Sequence, residues 1–442
     1  MEIIKTLRGT RDILPAETVV WQRVEAIARQ ILTNAAYGEI RTPIFEQTEL
    51  FARGIGEATD VVGKEMYTFS DRGDRSLTLR PENTAGVVRS LIEHKLMALG
   101  GVQRLWYTGA MFRYERPQAG RQRQFHQIGA EVFGSNSPRA DVEVIALATQ
   151  ILQTLGLKNL HLDLNSVGNG DDRQAYRQAL VDYFMPYQED LDADSQDRLT
   201  RNPLRILDSK DPKTQEIARQ APSILDYLST NSQQHFAQVQ ELLGDLGISY
   251  QLNPRLVRGL DYYTHTAFEI ISDDLGAQAT VCGGGRYDNL VGQLGGENTP
   301  GVGWAIGLER LILLLQQLGE TPAAQLDFYV ISKGGLAEKQ AVVLTHKLRT
   351  QGFSLELDLS GSAIGKQFKR ADRSKALACL ILGETESQNG TVQLKILATG
   401  EQRSIDQATI LADPQALRQE LTLVSPWITL EVLESNSRIF IK

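Results

Sequence analysis

Phe112-Arg113-Tyr114-Glu115-Arg116-Pro117-Gln118, followed after two residues by Arg121-Gln122-Arg123-Gln124-Phe125-His126-Gln127-Ile128-Gly129-Ala130-Glu131, reads as two strands joined by a loop crowded with arginines. Side chains alternate across a strand, so odd and even positions face opposite ways. On the first strand the odd positions carry Arg113 and Glu115, and the even ones Trp106, Ala110 and Phe112. On the second, Gln127 and Glu131 flank Gly129 on the odd face, with Ile128, Ala130 and Val132 on the even face. One face of the hairpin is therefore a packing surface. The other presents a guanidinium, an amide and a carboxylate around a glycine that leaves room for a ligand. A polar sheet face of this kind also suits plain exposure to solvent.

Working outward, the chain has 442 residues, room for about three domains. Its 42% hydrophobic and 23% charged content is that of an ordinary globular protein. No apolar run approaches the ~20 residues needed to span a bilayer, and Met1 to Arg8 lacks a secretory apolar stretch. A cytoplasmic protein with no membrane partner is expected. Cys282 and Cys379 stand far apart, which fits a reducing compartment and supplies no zinc framework. The histidines form no His-Glu-x-x-His pattern, so no metal-ligating residues are assigned. A net charge of −8 excludes a chain that coats nucleic acid over its whole surface, but leaves room for local basic patches.

Residues 17–36 predict an amphipathic helix, with Val20, Val24, Ile27, Ala28, Ile31 and Ala35 at helical spacing. Ile40 to Phe45 predicts a strand interrupted by Pro43. Residues 166–250 turn polar, helical and proline-punctuated, as a helical insertion would. Glycine-rich strand sequence returns over 251–307, and a long apolar helix runs from Leu308 to about Leu318. Residues 319–325 read as a linker. Beyond it, strands at 327–332, 354–359 and 377–382 alternate with helices at 337–350 and 365–373, as in a small α/β domain. The expected fold is thus α+β. An antiparallel catalytic domain covers 1–324 with its insertion at about 166–250, an α/β domain covers 325–422, and 423–442 form an extension of unassigned role.

Three further constellations stand out: Leu256 to Thr264 with its Arg258-Gly259 pair, Gly283-Gly284-Gly285-Arg286-Tyr287-Asp288, and Gly301 to Arg310. The last reads as a strand entering a helix. Arg310 in its first turn is disfavoured by the helix dipole unless an anion is also present. Taken alone, each also reads as a turn, a bulge or a surface arginine. The glycines of 301–307 have the wrong spacing for a dinucleotide fingerprint, and 361–367 are one residue short of a P-loop. A nucleotide site here must use arginines on an antiparallel sheet.

Together these pieces resemble a class II aminoacyl-tRNA synthetase, and specifically the histidyl-tRNA synthetase family. The resemblance runs from about Leu7 to about residue 420. The Pro43 strand, the Phe112-Arg113-x-Glu115 hairpin and Gly307-Leu308-Glu309-Arg310 are its class-wide parts. Leu256 to Tyr263 and Gly284 to Asp288 are its histidine-specific parts. The resemblance implies a homodimeric enzyme that joins histidine to ATP and then transfers it to the 3′ end of histidine tRNA. ATP is a substrate, with Mg2+ on its β and γ phosphates.

The resemblance also implies roles. Arg113 bridges the substrate carboxylate and the α-phosphate, Arg258 approaches from the other side, and Arg310 holds the γ-phosphate. Glu82, Thr84 and Gln127 accept the histidine ammonium. Glu131 and Tyr263 grip the imidazole, and Tyr287 lines its pocket. The loop residues Arg116, Gln118, Arg121 and Arg123 face the tRNA acceptor end, which in this family carries an extra 5′ guanosine. Lys366, Lys369, Arg370 and Arg373 present a basic helix face to the anticodon region, with Ile364, Phe368 and Ala371 turned inward. Two positions depart from the pattern or vary within it: Asn83 stands where glycine is usual, and His265 receives no role. A histidine-binding regulatory subunit of ATP phosphoribosyltransferase is the competing expectation. Such a protein would lack the second domain and keep degraded catalytic arginines.

Overall fold

A proline in its first turn and an acidic Glu17 close behind it start the helix α1, Pro15–Asn34. It buries Val20, Val24, Ala28 and Ile31, the predicted stripe. The computed structural model describes residues 3–56, 59–256, 260, 262–274, 280–319 and 326–424. Arg258, residues 320–325 of the expected linker and the extension beyond 424 lie outside them. The chain divides into two compact units, Met1–Pro322 and Ala323–Lys442.

In the first unit an eight-stranded sheet is built from β1 (Gly38–Glu39), β5 (Gln103–Phe112), β6 (Gln124–Phe133), β7 (Leu160–Ser166), β8 (Gln251–Leu252), β9 (Thr264–Ser272), β10 (Thr280–Arg286) and β11 (Gly301–Gly307). Their order is β1-β5-β6-β11-β10-β9-β7-β8, with antiparallel pairing from β5 through to β7 and parallel edges. A separate three-stranded sheet holds β2 (Phe45–Gln47), β3 (Tyr67–Ser70) and β4 (Ser76–Leu79). The predicted strand from Ile40 to Phe45 is therefore not one strand. The chain leaves the large sheet after β1 and enters the small one at β2. Pro43, without an amide for a ladder, lies at the break.

Alternation decides which way the large sheet faces. Trp106, Ile128, Ala130, Val132, Val302, Trp304 and Ile306 enter the main core. They meet helices α1, α4 (Pro138–Thr154), α8 (Thr230–Asp245) and α10 (Leu308–Gln317) there. The opposite face carries Tyr107, Met111, Phe133 and Tyr287, packed near Val87, Val88 and Leu91 of α3 (Thr84–Glu93). The hairpin's odd face is thus half-buried rather than open to solvent. Helices α2 (Thr48–Ile55) and α9 (Leu290–Gln293) complete this side. Between β7 and β8 the chain makes α5 (Gly170–Phe184), α6 (Ala193–Arg201), α7 (Pro212–Ala218) and then α8. The first three gather around their own small core of Tyr176, Leu180, Phe184 and Leu199.

The second unit is a five-stranded sheet of β12 (Phe328–Ser332), β13 (Leu355–Leu357), β14 (Ala378–Leu382), β15 (Thr391–Ile396) and β16 (Gln402–Asp406), in the order β13-β12-β14-β15-β16. Helix α11 (Gly335–Thr350) packs on one face and α12 (Ile364–Ser374) on the other. In α12, Ala371 is buried and Phe368 partly so. Ile364 is not turned inward: it is 38% exposed. Gln367 occupies the inner position instead, its amide bonded to both the backbone N and O of Ser332.

Candidate active site

The non-core face of the large sheet is hollowed into a cavity of about 330 Å³. Its floor is the inner face of β11, whose Gly303, Ala305 and Gly307 pair with Glu131, Gly129 and Gln127 of β6. A Cβ at Gly303 would fall on the Glu131 carboxylate. The glycine is what lets that side chain lie flat against the sheet.

Glu131 is the chemical centre of one end. It is 1% exposed. Thr84 Oγ1 donates to its Oε1 at 2.7 Å, the Tyr107 hydroxyl stands 3.5 Å from the same oxygen, and the Tyr287 hydroxyl donates to Oε2. Burial pushes the Glu131 carboxyl up to about 8, outweighing the hydrogen bonds from Tyr287 and Thr84. Beside it, burial raises Glu82 as well, opposed by amide bonds from Ala85 at 3.0 Å and Thr84 at 2.6 Å at the start of α3. Gln127 lines the same cavity, with its side-chain oxygen buried and without a hydrogen-bond partner among the described residues. A carboxylate that is half-neutral near pH 8 and an unmatched amide oxygen suit a small ligand bearing N–H donors.

The other end is cationic. Arg113 donates from Nε to the Pro81 carbonyl at 2.8 Å, and its guanidinium lies 5.3 Å from the Phe125 ring. Its Nη1 lies 3.8 Å from the Glu115 carboxylate, so the guanidinium faces the cavity as half of a long ion pair. Arg310, at the start of α10, donates to the Thr280 carbonyl at 2.7 Å. Burial lowers its pKa, and so does the nearby charge of Arg121. Arginines gathered this way want an anion between them.

Glu82, Thr84, Arg113, Gln127, Glu131, Tyr263, Tyr287 and Arg310 all line this one cavity. Arg258 lies outside the described residues. Arg113 and Glu115 are not on the strand, which ends at Phe112; they stand in the connection, where Arg113 still bonds backbone to backbone with Arg123. Of the loop set, Arg116 and Gln118 are exposed. Arg121 lines the cavity and lies 3.3 Å from Glu115, while Arg123 stacks 3.8 Å from the Tyr114 ring. In the second unit Lys366, Lys369 and Arg373 are exposed, whereas Arg370 turns to Asp358 at 2.7 Å.

Gly129 does not leave room for a ligand ring. A Cβ there would strike the Tyr107 ring, its register partner on β5. Tyr107 takes the space and aims its hydroxyl at Glu131. The triplet Gly283 to Gly285 is neither turn nor loop; it lies in β10, where side chains on Gly284 and Gly285 would strike the neighbouring β11 and β9 backbones.

Residues 9–311 match the histidyl-tRNA synthetase family model, and residues 327–412 match that of an anticodon binding domain. The chain belongs to the histidyl-tRNA synthetase family. It is 71% identical over 419 residues to the histidine–tRNA ligase of Gloeothece citriformis, spanning 95% of this chain and 97% of that one. The histidine–tRNA ligase of Picosynechococcus is 70% identical over 421 residues, spanning 95% and 99%. Among solved structures, apo histidyl-tRNA synthetase of S. aureus superposes with a TM-score of 0.79 at 41% identity, over 93% of this chain and 99% of that one. An ATP phosphoribosyltransferase regulatory subunit/histidyl-tRNA synthetase of Bacillus halodurans shares the fold, with a TM-score of 0.64 at 22% identity, over 87% and 99%.

Within this histidyl-tRNA synthetase fold, several residues escaped the sequence reading. Tyr107 is one. His126 is another: its backbone N–H and Nδ1 both reach the Glu309 carboxylate, at 2.9 to 3.0 Å, tying the strand before Gln127 to the helix turn before Arg310. Asn83 accepts from Arg80 at 3.2 Å and from Thr42 at 2.6 Å. His265 has a left-handed φ of 46° and stacks on His235 of α8, with ring centres 5.2 Å apart. Among the described residues no helix is long and apolar enough to cross a membrane.

Proposed function

We propose that this chain is a histidine–tRNA ligase. It activates histidine with ATP, giving histidyl-adenylate and pyrophosphate, and then transfers histidine to the 3′ end of histidine tRNA. The observation that carries this reading is the single cavity in which the buried Glu131–Tyr287–Thr84 group meets Arg113 and Arg310.

In the first step a histidine carboxylate oxygen attacks the α-phosphorus and the bond to pyrophosphate breaks. Two anions must approach, and cations already in place offset that repulsion and the charge developing at phosphorus. Arg113 spans carboxylate and α-phosphate, Arg258 approaches from the opposite side, and Arg310 holds the γ-phosphate end. In the second step the terminal ribose hydroxyl of the tRNA attacks the carbonyl and AMP leaves. Glu82, Thr84 and Gln127 take the ammonium, while Glu131 and Tyr263 take the imidazole beside Tyr287. A pocket that pairs both ring nitrogens rejects apolar amino acids strongly, because its polar groups would be left unpaired. A magnesium ion brought in with ATP would offset the charge of its phosphates. The oxygen donor of Glu269, which lines the cavity and accepts from Thr280 at 2.7 Å, suits such an ion.

The protein is proposed to act as a homodimer through α1 and the segment around Pro43, in the cytoplasm. Arg116, Gln118, Arg121 and Arg123 are assigned to the acceptor end, and the α12 face with Lys366, Lys369, Arg370 and Arg373 to the anticodon region. The domain limits proposed are 1–324, with the insertion at about 166–250, and 325–422. A regulatory subunit of ATP phosphoribosyltransferase is disfavoured by the anticodon binding domain match over 327–412 and by the presence of Arg113 and Arg310 in the cavity. Charging of a histidine tRNA transcript with labelled histidine tests the reading. ATP-dependent acceptance of histidine supports it, and no acceptance by a folded protein contradicts it.

A further inference from the structure

Arg286 has 0% exposure, and yet all its N–H groups are matched. Nε and Nη2 donate to the Asp141 carboxylate at 3.1 and 2.5 Å, Nη1 to Asp288 at 3.0 Å, and the remaining N–H groups to the carbonyls of Ser135 at 2.8 Å and Ser137 at 3.3 Å. A buried guanidinium is costly unless paired and hydrogen-bonded in this way. The next residue along the chain is Tyr287, whose hydroxyl meets Glu131.

Glu131 and Tyr287 reach each other across an intervening strand: β6 carries the first, Tyr287 follows β10, and β11 runs between. Arg286 ties the two outer segments together. It begins at the end of β10 and bonds the turn that follows β6, through Ser135 and Ser137, and then Asp141 of α4. Asp288, on the other side of Tyr287, accepts from Arg286 and from the Gly301 amide at 3.3 Å, while its own amide donates to Thr264 at 3.2 Å. The Tyr287 amide donates to the Gly301 carbonyl at 2.7 Å. A Cβ at Gly301 would strike the Tyr287 ring, so the ring lies directly on β11. Asp141 is held ionised: burial raises its pKa, but Arg286 and the His235 ring, 3.4 Å away, bring it down to about 2.

We propose that Arg286 is a positioning residue for amino-acid recognition, fixing the Tyr287 hydroxyl against the Glu131 carboxylate through its ties to Asp141, Asp288 and the turn after β6. This rests on the reading of Glu131 as the group that receives the histidine ring. A core ion pair with no such role would affect both substrates alike through general loosening.

A double-mutant cycle separates the two. Histidine-dependent ATP–pyrophosphate exchange is measured for the wild type, Asp288→Asn, Tyr287→Phe and the double variant, with KM for each substrate. Asp288→Asn strips the charge from one arm of the tie at a partly exposed position, leaving an amide oxygen as a weaker acceptor for Arg286. It is expected to raise the KM for histidine about tenfold, one lost charge-assisted hydrogen bond, with the KM for ATP nearly unchanged. In the Tyr287→Phe background the same change should have little further effect, since the hydroxyl it aims is gone. Arg286→Lys keeps the charge but not the fork and should show the same pattern more strongly; if it fails to fold, the cycle with Asp288→Asn decides. Fold-changes that multiply in the double variant, or KM values for histidine and ATP that rise together, overturn the inference. A folded wild type without any histidine-dependent exchange overturns the function itself, and the inference with it.

Discussion

Glu131 shows how much one residue's surroundings decide. Its folded pKa of about 8 lies above its ordinary value of 4.5, so between those limits the ligand-free fold holds a proton that the unfolded chain has released. Stability from this group is fully present below about pH 4.5 and is lost as pH rises through 8. Glu131→Gln removes that dependence. At about pH 9 the ligand-free variant should therefore melt higher than the wild type, by on the order of a few kcal/mol, while its histidine affinity falls more than its ATP affinity. Thermal melts across pH and calorimetric titration of both ligands check this. Parallel melting curves, or equal losses of both affinities, would contradict the role. The same pKa predicts the pH range of histidine binding. Free imidazole titrates near about 6.5. Between there and 8 one proton is already shared between ring and carboxyl, so affinity should be flat. It should fall above about 8, where the pair must take up a proton, and below about 6.5, where it must release one. Binding that strengthens steadily from pH 7 to 9 would rule out a proton shared with Glu131.

At the scale of elements, β11 carries the site. Gly301-Val302-Gly303-Trp304-Ala305-Ile306-Gly307 alternates small and large residues, large ones into the core and small ones under the cavity. That two-residue period was legible in the sequence and foretells a strand with one face kept clear. What it kept clear was not legible, because that depends on the neighbour opposite Gly303, which is Glu131. Gly303→Ala should therefore displace the carboxylate and raise the KM for histidine more than about tenfold, with a stability loss of about 1–3 kcal/mol from overpacking. An unchanged KM for histidine in exchange kinetics would show that the floor tolerates a methyl group. The hairpin marked out Gln127, Glu131 and Arg113 on chemistry alone. Tyr107 went unseen because the pairing of Tyr107 with Gly129 follows from the register set by the loop. His126 was hidden for a similar reason: Glu309, its partner, is 183 residues away. The strand proposed across Pro43 failed because alternation says nothing about a missing amide.

At the scale of the whole molecule, each unit has its own core. The second contains none of the residues assigned to histidine or ATP. Removing residues from about 325 onward should leave pyrophosphate exchange largely intact and sharply reduce tRNA charging, provided circular dichroism and light scattering show a folded dimer. Equal loss of both in such a dimer would mean that the second unit supports the catalytic site. Alternating strands and helices after the linker made this division legible early, since βαβ spacing is a local signal. The catalytic sheet was harder to foresee, because its strand order joins segments from residue 38 to residue 307. Histidine-dependent ATP–pyrophosphate exchange by the intact protein is the deciding measurement. Exchange should saturate with histidine and be absent with apolar amino acids. Histidine binding seen by calorimetry, without any exchange, would contradict it and mark the chain as a sensor of histidine rather than a ligase.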